Sequence, residues 1–210
     1  MCPFTFRVSM VKLMVSSFCW RFDLPVREAI VGVKLNRMDA SSLPYFTARL
    51  EANVEVIRGL LTGVSEGQAR WKPAPDKWSL LEVINHLADE EFEDFRTRVK
   101  LTIEDPLQDW PGIDPEHWAI ERGYNKRDLR ESISRFIRER KVSTAWLSEL
   151  QDIPWESSHH HPKFPAIRTG DLLVSWLAHD FIHIRQMNRL QYEYLGSLKG
   201  PFSTEYAGKW

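Results

Sequence analysis

This chain of 210 residues has few cysteines, no long apolar run and almost no net charge. Its two cysteines, Cys2 and Cys19, both lie near the start, so no disulfide framework can hold the other residues together. This cysteine usage is typical of a cytoplasmic protein. No apolar run reaches the roughly 20 residues of a membrane-spanning helix. The formal net charge of −1 gives no overall attraction to nucleic acid or to a membrane, so we expect neither as a partner.

Period-two alternation, the pattern of a half-buried strand, is also lacking outside residues 4–18. Apolar residues instead recur at helical spacing in four segments of about 20 to 26 residues. The four segments span residues 42–61, 79–103, 125–150 and 169–194. Four amphipathic helices of this length predict an all-α fold, a four-helix bundle.

The connection over residues 104–124 is too long for a tight hairpin. A helix of about 25 residues is roughly 37 Å long, and a linker of about 20 residues can span that distance. The second and third helices can therefore be parallel neighbours. Residues 1–38 lack clear helical periodicity, so we interpret them as a poorly patterned N-terminal extension, with Met38 as a candidate functional start. Residues 39–210 then form the bundle domain.

The helical patterns also predict which residues face the core. In the second helix, Ser79 and Glu82 form a predicted capping box, and the apolar stripe comprises Leu80, Ile84, Leu87, Ala88, Phe92, Phe95 and Val99. In the third helix the stripe comprises Leu129, Ile133, Phe136, Ile137, Val142, Trp146 and Leu150. Seven basic residues of the third helix are interpreted as a solvent-exposed face: Lys126, Arg127, Arg130, Arg135, Arg138, Arg140 and Lys141. Attraction of an anionic thiol cofactor or of nucleic acid is the alternative interpretation of this face.

Two histidines in the fourth predicted helix are four residues apart. On a helix this spacing places His179 and His183 on one face, one turn apart. The same face carries Leu172, Trp176, Ile182, Gln186, Met187 and Leu190, so both imidazoles are predicted to point into the interior. Burying an unpaired imidazole costs about 1–3 kcal/mol, and a divalent cation removes that cost. From this pair alone, a metal site and core histidines satisfied by carboxylates both remain open.

A third histidine, His86, lies at the edge of the stripe of the second helix. Placed opposite His179 and His183, it would complete three corners of a metal site with open coordination positions. Taken alone, a histidine in this position is more often a partly buried packing residue than a metal ligand. The triplet 159–161 is interpreted as part of a solvent-exposed loop, with adventitious metal binding or a lid as alternatives.

Several carboxylates flank these histidines. Asp89, Glu90 and Asp180 are candidates to accept an imidazole N–H, which would fix the orientation of the ring. Glu90 is in addition a candidate catalytic base or fourth metal ligand. A solvated acidic edge is the alternative interpretation of residues 89–91.

Two segments resemble a known family. Residues 77–89, Lys-Trp-Ser-Leu-Leu-Glu-Val-Ile-Asn-His-Leu-Ala-Asp, resemble the second-helix signature of the DinB/YfiT-like superfamily of metal-dependent enzymes. Residues 179–186, His-Asp-Phe-Ile-His-Ile-Arg-Gln, resemble its last-helix HxxxH signature. The resemblance covers about residues 41–195. It implies a bundle of up-down-down-up topology and makes His86, His179 and His183 the three metal ligands.

The resemblance also implies a function. It points to a metal-dependent enzyme, most plainly an S-transferase that joins a low-molecular-weight thiol such as bacillithiol or mycothiol to a small electrophile. Three imidazoles suit zinc, nickel or iron. The alternatives are a metal-dependent hydrolase with Glu90 as base, and a non-catalytic metal- or ligand-binding stress protein. A small-molecule substrate and a homodimer are further expectations.

Overall fold

Helices make up most of the part of the chain that the computed structural model describes, which is residues 42–161, 164 and 166–210. The α-helices are α1 (Ser42–Leu61), α2 (Glu66–Arg70), α3 (Leu80–Asp89), α4 (Arg96–Glu104), α5 (Pro115–Glu121), α6 (Leu129–Glu149) and α7 (Thr169–Leu198). A π-helical segment, Glu90–Phe95, joins α3 to α4 in one continuous rod. Two short strands, β1 (Ser158–His159) and β2 (Ile167–Arg168), pair in antiparallel fashion just before α7. The extension predicted for residues 1–38 lies outside the described residues.

The long helices pack around two clusters of buried apolar residues. One cluster joins the starts of α3 and α6 to the second half of α7 through Leu80, Leu129 and Leu190. The other joins the ends of α4 and α6 to the starts of α1 and α7 through Val99, Leu147, Leu43 and Leu172. The rod α3–α4 is therefore parallel to α6, and both are antiparallel to α1 and α7. This arrangement confirms the predicted four-helix bundle with up-down-down-up topology.

Local signals explain where several helices begin and end. Ser79 Oγ accepts from the Glu82 N–H at 3.1 Å, and Glu82 Oε2 accepts from the Ser79 N–H at 2.8 Å, so the predicted capping box is confirmed. The third helix was expected from residue 125 but begins at Leu129, because Asp128 Oδ1 caps it at the Glu131 N–H. Helix α7 continues past its predicted end near residue 194 as far as Leu198. Gly200, with a left-handed φ of 56°, follows it.

The π-helical segment changes which residues of the second helix face inward. Its wider turn inserts one extra residue into the helical register. Phe92, expected in the apolar stripe, is therefore 54% exposed, whereas Glu90, Glu91 and Phe95 are buried. The interpretation of residues 89–91 as a solvated acidic edge is also wrong, since Asp89, Glu90 and Glu91 are all buried.

For three other residues the observed burial is the reverse of the expected one. Val142 of α6 and Ile182 of α7, both expected to face the core, are exposed. Arg140, which was grouped with the solvent-exposed basic residues of the third helix, is buried in the middle of the bundle.

Among the described residues, no helix is both long enough and apolar enough to cross a membrane.

Candidate metal centre

Three imidazoles meet between α3 and α7. His86 extends from α3, and His179 and His183 extend from successive turns of α7. The Nε2 atom of His86 lies 3.2 Å from that of His179 and 3.1 Å from that of His183, and the last two are 3.1 Å apart. The fold thus brings all three predicted histidines together with the same ring nitrogen facing a common point.

The surroundings of each Nδ1 atom determine which of the two ring nitrogens carries the proton. His183 Nδ1 donates to Gln186 Oε1 at 2.7 Å, so its Nε2 keeps a free lone pair. His86 Nδ1 is buried without a hydrogen-bond partner, and Glu90 Oε1, also buried and unpartnered, lies 3.7 Å away. A hydrogen bond between these two atoms would satisfy both and would leave His86 Nε2 as an acceptor.

The geometry and the charge of the cluster fit a divalent cation. Two nitrogens that are each about 2.0–2.1 Å from a tetrahedral zinc ion lie about 3.3 Å apart, close to the observed triangle. Because Nδ1 of His183 carries its proton, Nε2 of this ring presents a lone pair to the centre, where a cation can accept it. Burial lowers the pKa of His86 to about 2 and that of His179 to about 3, and it also lowers the pKa of His183. The rings are therefore neutral at neutral pH, which is the form that binds a metal.

Aromatic side chains hold the imidazoles from the sides. Trp78 meets the ring of His86 edge-on, with centroids 4.8 Å apart. Phe95 lies 5.2 Å from the ring of His179 and stacks on Trp176 at 5.5 Å. These contacts restrict rotation of two of the three rings and exclude water from part of their surroundings.

Glu90 lies beside the cluster, as the sequence predicted. Burial, together with a hydrogen bond and charge repulsion from Asp94, raises the pKa of Glu90 to about 9. Asp94 in turn pairs with Arg98 Nε at 2.8 Å. The structure places Glu90 within reach of His86, and its role in catalysis stays a prediction.

The other two carboxylates that were expected to support imidazoles have different partners. Asp89 accepts from Arg122 Nη1 at 2.6 Å and also from Tyr124. Asp180 accepts from both terminal nitrogens of Arg140. The expectation that these carboxylates orient imidazoles is therefore wrong.

Sequence reasoning missed one contributor to this region. Gln186, one turn past His183, is expected from spacing to bond either a substrate or a core partner, and the structure shows it bonded to His183. Arg140 binds Asp180, the residue after His179, and no local pattern distinguished it from its exposed neighbours. The available signal was indirect. Asp180 and Glu91 each follow a candidate site residue on a helix, and a carboxylate buried there needs a cationic partner such as Arg140.

The histidine triplet before α7 does not join the three imidazoles. His159 is buried, stacks on Trp110 at 4.2 Å, and its Nδ1 lies 3.1 Å from the carbonyl oxygen of Pro106. Arg98 covers Trp110 at 4.9 Å. The interpretation of residues 159–161 as a solvent-exposed loop is therefore wrong for His159, which anchors the loop.

A cleft of about 340 Å³ is lined by two of the residues that contact the histidines, and the histidines themselves are not in its wall. Trp78 and Gln186 line it and also contact His86 and His183 respectively. Its other walls combine apolar and charged side chains, including Lys77 and Leu190. The cleft gives a small molecule a place to bind beside the cluster.

Fold and site together define a class: an up-down-down-up four-helix bundle with three histidines brought together by facing helices. The sequence model of the DinB superfamily matches residues 49–187, and the chain belongs to this family. Among solved structures it is similar to YfiT from Bacillus subtilis, described as "a probable metal-dependent hydrolase with an unusual four-helix bundle topology". The two are 18% identical, the match covers 76% of this chain and 91% of YfiT, and the TM-score is 0.67. This likeness shows the shared fold. A separate comparison with curated proteins found no match to the chain.

Proposed function

We propose that the chain is a metal-dependent enzyme acting on a small molecule, with His86, His179 and His183 holding a divalent ion. The observation that carries this proposal is the triangle of Nε2 atoms 3.1–3.2 Å apart. A bound ion would supply Lewis acidity, which favours the deprotonated form of a thiol or of water. Membership of the DinB superfamily supports the same assignment.

The residues around the triangle have distinct roles in this proposal. Gln186 holds the Nδ1 proton of His183, and Glu90 faces the Nδ1 atom of His86, so both keep Nε2 directed at the centre. Trp78 and Phe95 shield the rings from water. The cleft lined by Trp78 would hold the part of the substrate that does not react.

Within this class, we propose that the reaction is transfer of a low-molecular-weight thiol to a small electrophile. Three neutral imidazoles leave the charge of a divalent ion uncompensated, which favours an anionic sulfur ligand. Hydrolysis is the second candidate, because Glu90 provides a carboxyl group beside His86 and because YfiT is described as a probable hydrolase. A homodimer and a cytoplasmic location stay predictions.

The test is metal analysis followed by paired assays. Purified untagged protein should contain close to one divalent ion per chain, and alanine variants of the three histidines should lose it. Protein loaded with zinc, nickel or iron is then incubated with an electrophile in the presence and absence of thiol, and separately with ester and amide substrates. Thiol-dependent loss of the electrophile supports transfer, and hydrolysis without thiol supports the second candidate.

Glu90→Gln provides a further distinction. If Glu90 orients His86 or moves a proton, the variant keeps its metal and its turnover changes. If metal is lost outright, Glu90 is itself a ligand. Bound metal with no turnover in any assay would favour a non-catalytic binding protein, and no metal after reloading would overturn the proposal.

A further inference from the structure

A second cleft, of about 690 Å³, lies between α3 and α6. Asn85 forms part of its wall and donates to Ser132 Oγ on α6 at 2.9 Å. The next residue, His86, points instead to α7, where the other two histidines lie. The cleft is therefore on a different face of α3 from the candidate metal centre, and the function proposed above does not use it.

The lining of this cleft is rich in arginine. Its ionisable residues are four arginines and two carboxylates, so the local charge is +4 − 2 = +2. They are Arg127, Arg130, Arg135, Arg138, Asp128 and Glu131. The whole chain has a formal net charge of −1, so this surface differs in sign from the average.

Two of the arginines have no carboxylate within reach on their own helix. Arg130, Ser134 and Arg138 lie one turn apart along α6. The positions three and four residues from either arginine are occupied by basic, apolar or serine residues. Within the described part of the chain, neither guanidinium forms an ion pair. The two Cα atoms are separated by about 12 Å along the helix axis, so the pair can contact two anionic groups at once.

The other two arginines are held in place by α3. Arg127 Nη1 donates to the buried Asn85 Oδ1 at 2.9 Å. Arg135 pairs with Asp89, but that carboxylate also accepts from Arg122, so it neutralises only part of the charge of Arg135. Arg135 Nη1 is buried and has no hydrogen-bond partner, which leaves one donor unsatisfied at this wall. Preorganised donors lose less conformational freedom when a ligand binds.

The two carboxylates do not cancel this positive charge. Asp128 is turned towards the start of α6, where its Oδ1 accepts from the Glu131 N–H at 2.8 Å. There it interacts with the positive end of the helix dipole. Glu131 is exposed and lies one turn before Arg135, the arginine that Asp89 already binds.

We propose that this cleft binds a small molecule carrying two or more anionic groups, either phosphates or carboxylates. Guanidinium groups bind both kinds of oxyanion through paired N–H donors. The volume lies within the usual range for small-molecule sites. A nucleic acid is the less favoured ligand, because Asp128 and Glu131 interrupt the basic residues of this cleft and the whole chain has a formal net charge of −1.

Titration calorimetry at physiological ionic strength tests the proposal, with inorganic tripolyphosphate and citrate as probes. The main variant is Ser134→Glu, which places a carboxylate between Arg130 and Arg138 at an exposed helical position. Arg138→Gln is a second variant that removes one cation. Arg185→Gln is the matched control, because Arg185 is exposed on α7 and has no ion-pair partner among the described residues.

The wild type should bind at least one of the two probes saturably, and the preferred probe shows whether the cleft suits phosphate or carboxylate. Ser134→Glu should weaken binding about tenfold or more, Arg138→Gln should weaken it to a smaller extent, and Arg185→Gln should leave it unchanged. No saturable binding, or equal loss in the control, overturns the proposal. Tighter binding of a short DNA or RNA duplex than of either probe, lost in Ser134→Glu, would show a nucleic-acid surface instead.

Discussion

Arg140 binds both carboxylate oxygens of Asp180 in the middle of the bundle, with Nη1–Oδ2 and Nη2–Oδ1 distances of 2.7 Å. Glu91 pairs with the same guanidinium at 2.7 Å, and Asn53 Nδ2 donates to Asp180 Oδ2 at 2.9 Å. The network therefore takes one side chain from each of α1, the α3–α4 rod, α6 and α7. Asp180 follows His179 in sequence, so the network also fixes the position of a candidate metal ligand.

Replacing Arg140 by methionine should destabilise the protein strongly. The substitution leaves Asp180 and Glu91 buried without their cation, and breaking a buried pair in this way costs about 3–5 kcal/mol. The loss should appear as a lower free energy of unfolding in urea, measured with chelator present. Arg138→Met on the same helix removes an exposed arginine and should change stability by less than about 0.5 kcal/mol. Equal effects of the two substitutions would contradict the assigned network.

Replacing His183 by alanine should abolish the stabilisation that metal provides. A ligand at a concentration of 100 times its Kd stabilises the folded state by about 2.7 kcal/mol, and this increment should be present in the wild type with zinc and absent in the variant. Helix content by circular dichroism should remain, because the two apolar clusters stay intact. The control is His117→Ala, since His117 is exposed on α5. Global unfolding of His183→Ala would show that the metal is structural.

Replacing Gln186 by methionine should weaken metal binding without abolishing it. The substitution removes the acceptor for His183 Nδ1, and loss of such a partner typically costs about 10–100-fold in metal affinity. Zinc affinity measured by competition with a chromophoric chelator provides the readout. Gln186→Glu keeps an acceptor oxygen and should restore most of the affinity. If the glutamate variant binds as weakly as the methionine variant, the hydrogen bond has no such role.

The metal-free protein should lose stability as the pH falls from about 6.5 towards 3. In this window the unfolded chain protonates its histidines, whereas burial lowers the pKa of His86 to about 2 and that of His179 to about 3. Each such group contributes a slope of up to about 1.4 kcal/mol per pH unit. Glu90, with its pKa raised to about 9, opposes this slope above about pH 4.5.

A comparison of variants isolates the imidazole contribution to that slope. Urea unfolding of the wild type and of His179→Gln in chelator, between pH 6 and pH 4, should show the shallower slope in the variant. Glu90 acts in both proteins and therefore cancels in the difference. Parallel curves would show that His179 is protonated in the folded state as easily as in the unfolded chain.

Phe95→Ala and Phe92→Ala should differ greatly in their effects. Phe95 is buried against Trp176, so its truncation should cost about 3–5 kcal/mol. Phe92 is 54% exposed, and its truncation should cost less than about 1 kcal/mol. An uninterrupted α-helix would bury both rings and would give two large losses. The measurement therefore tests the π-helical segment directly.

Much of the fold could be predicted because it depends on local periodicity. Helix α1 has the predicted bounds Ser42–Leu61, since apolar residues recur along it at helical spacing. The capping box of Ser79 and Glu82 was equally readable, because it involves residues three apart. The predicted parallel arrangement of the second and third helices followed from the length of their connection.

Other features could not be predicted, because they depend on residues far apart in sequence. Asp180 and Arg140 are 40 residues apart, and nothing near Arg140 marks it as buried. The widened turn at Glu90–Phe95 leaves no signature in apolar spacing, which is why Phe92 was placed on the wrong face. Asp89 was expected beside an imidazole, but packing of α5 places Arg122 against it.

The sequence by itself determined the helices, their order and the pairing of His179 with His183 on one face, because each follows from backbone geometry over a few residues. Only the tertiary structure decided that His86 meets this pair with matching nitrogens. It alone placed Arg140 between Asp180 and Glu91. The physical reason is that an isolated helix fixes the direction of a side chain, whereas buried polar groups require partners that packing of separate helices supplies.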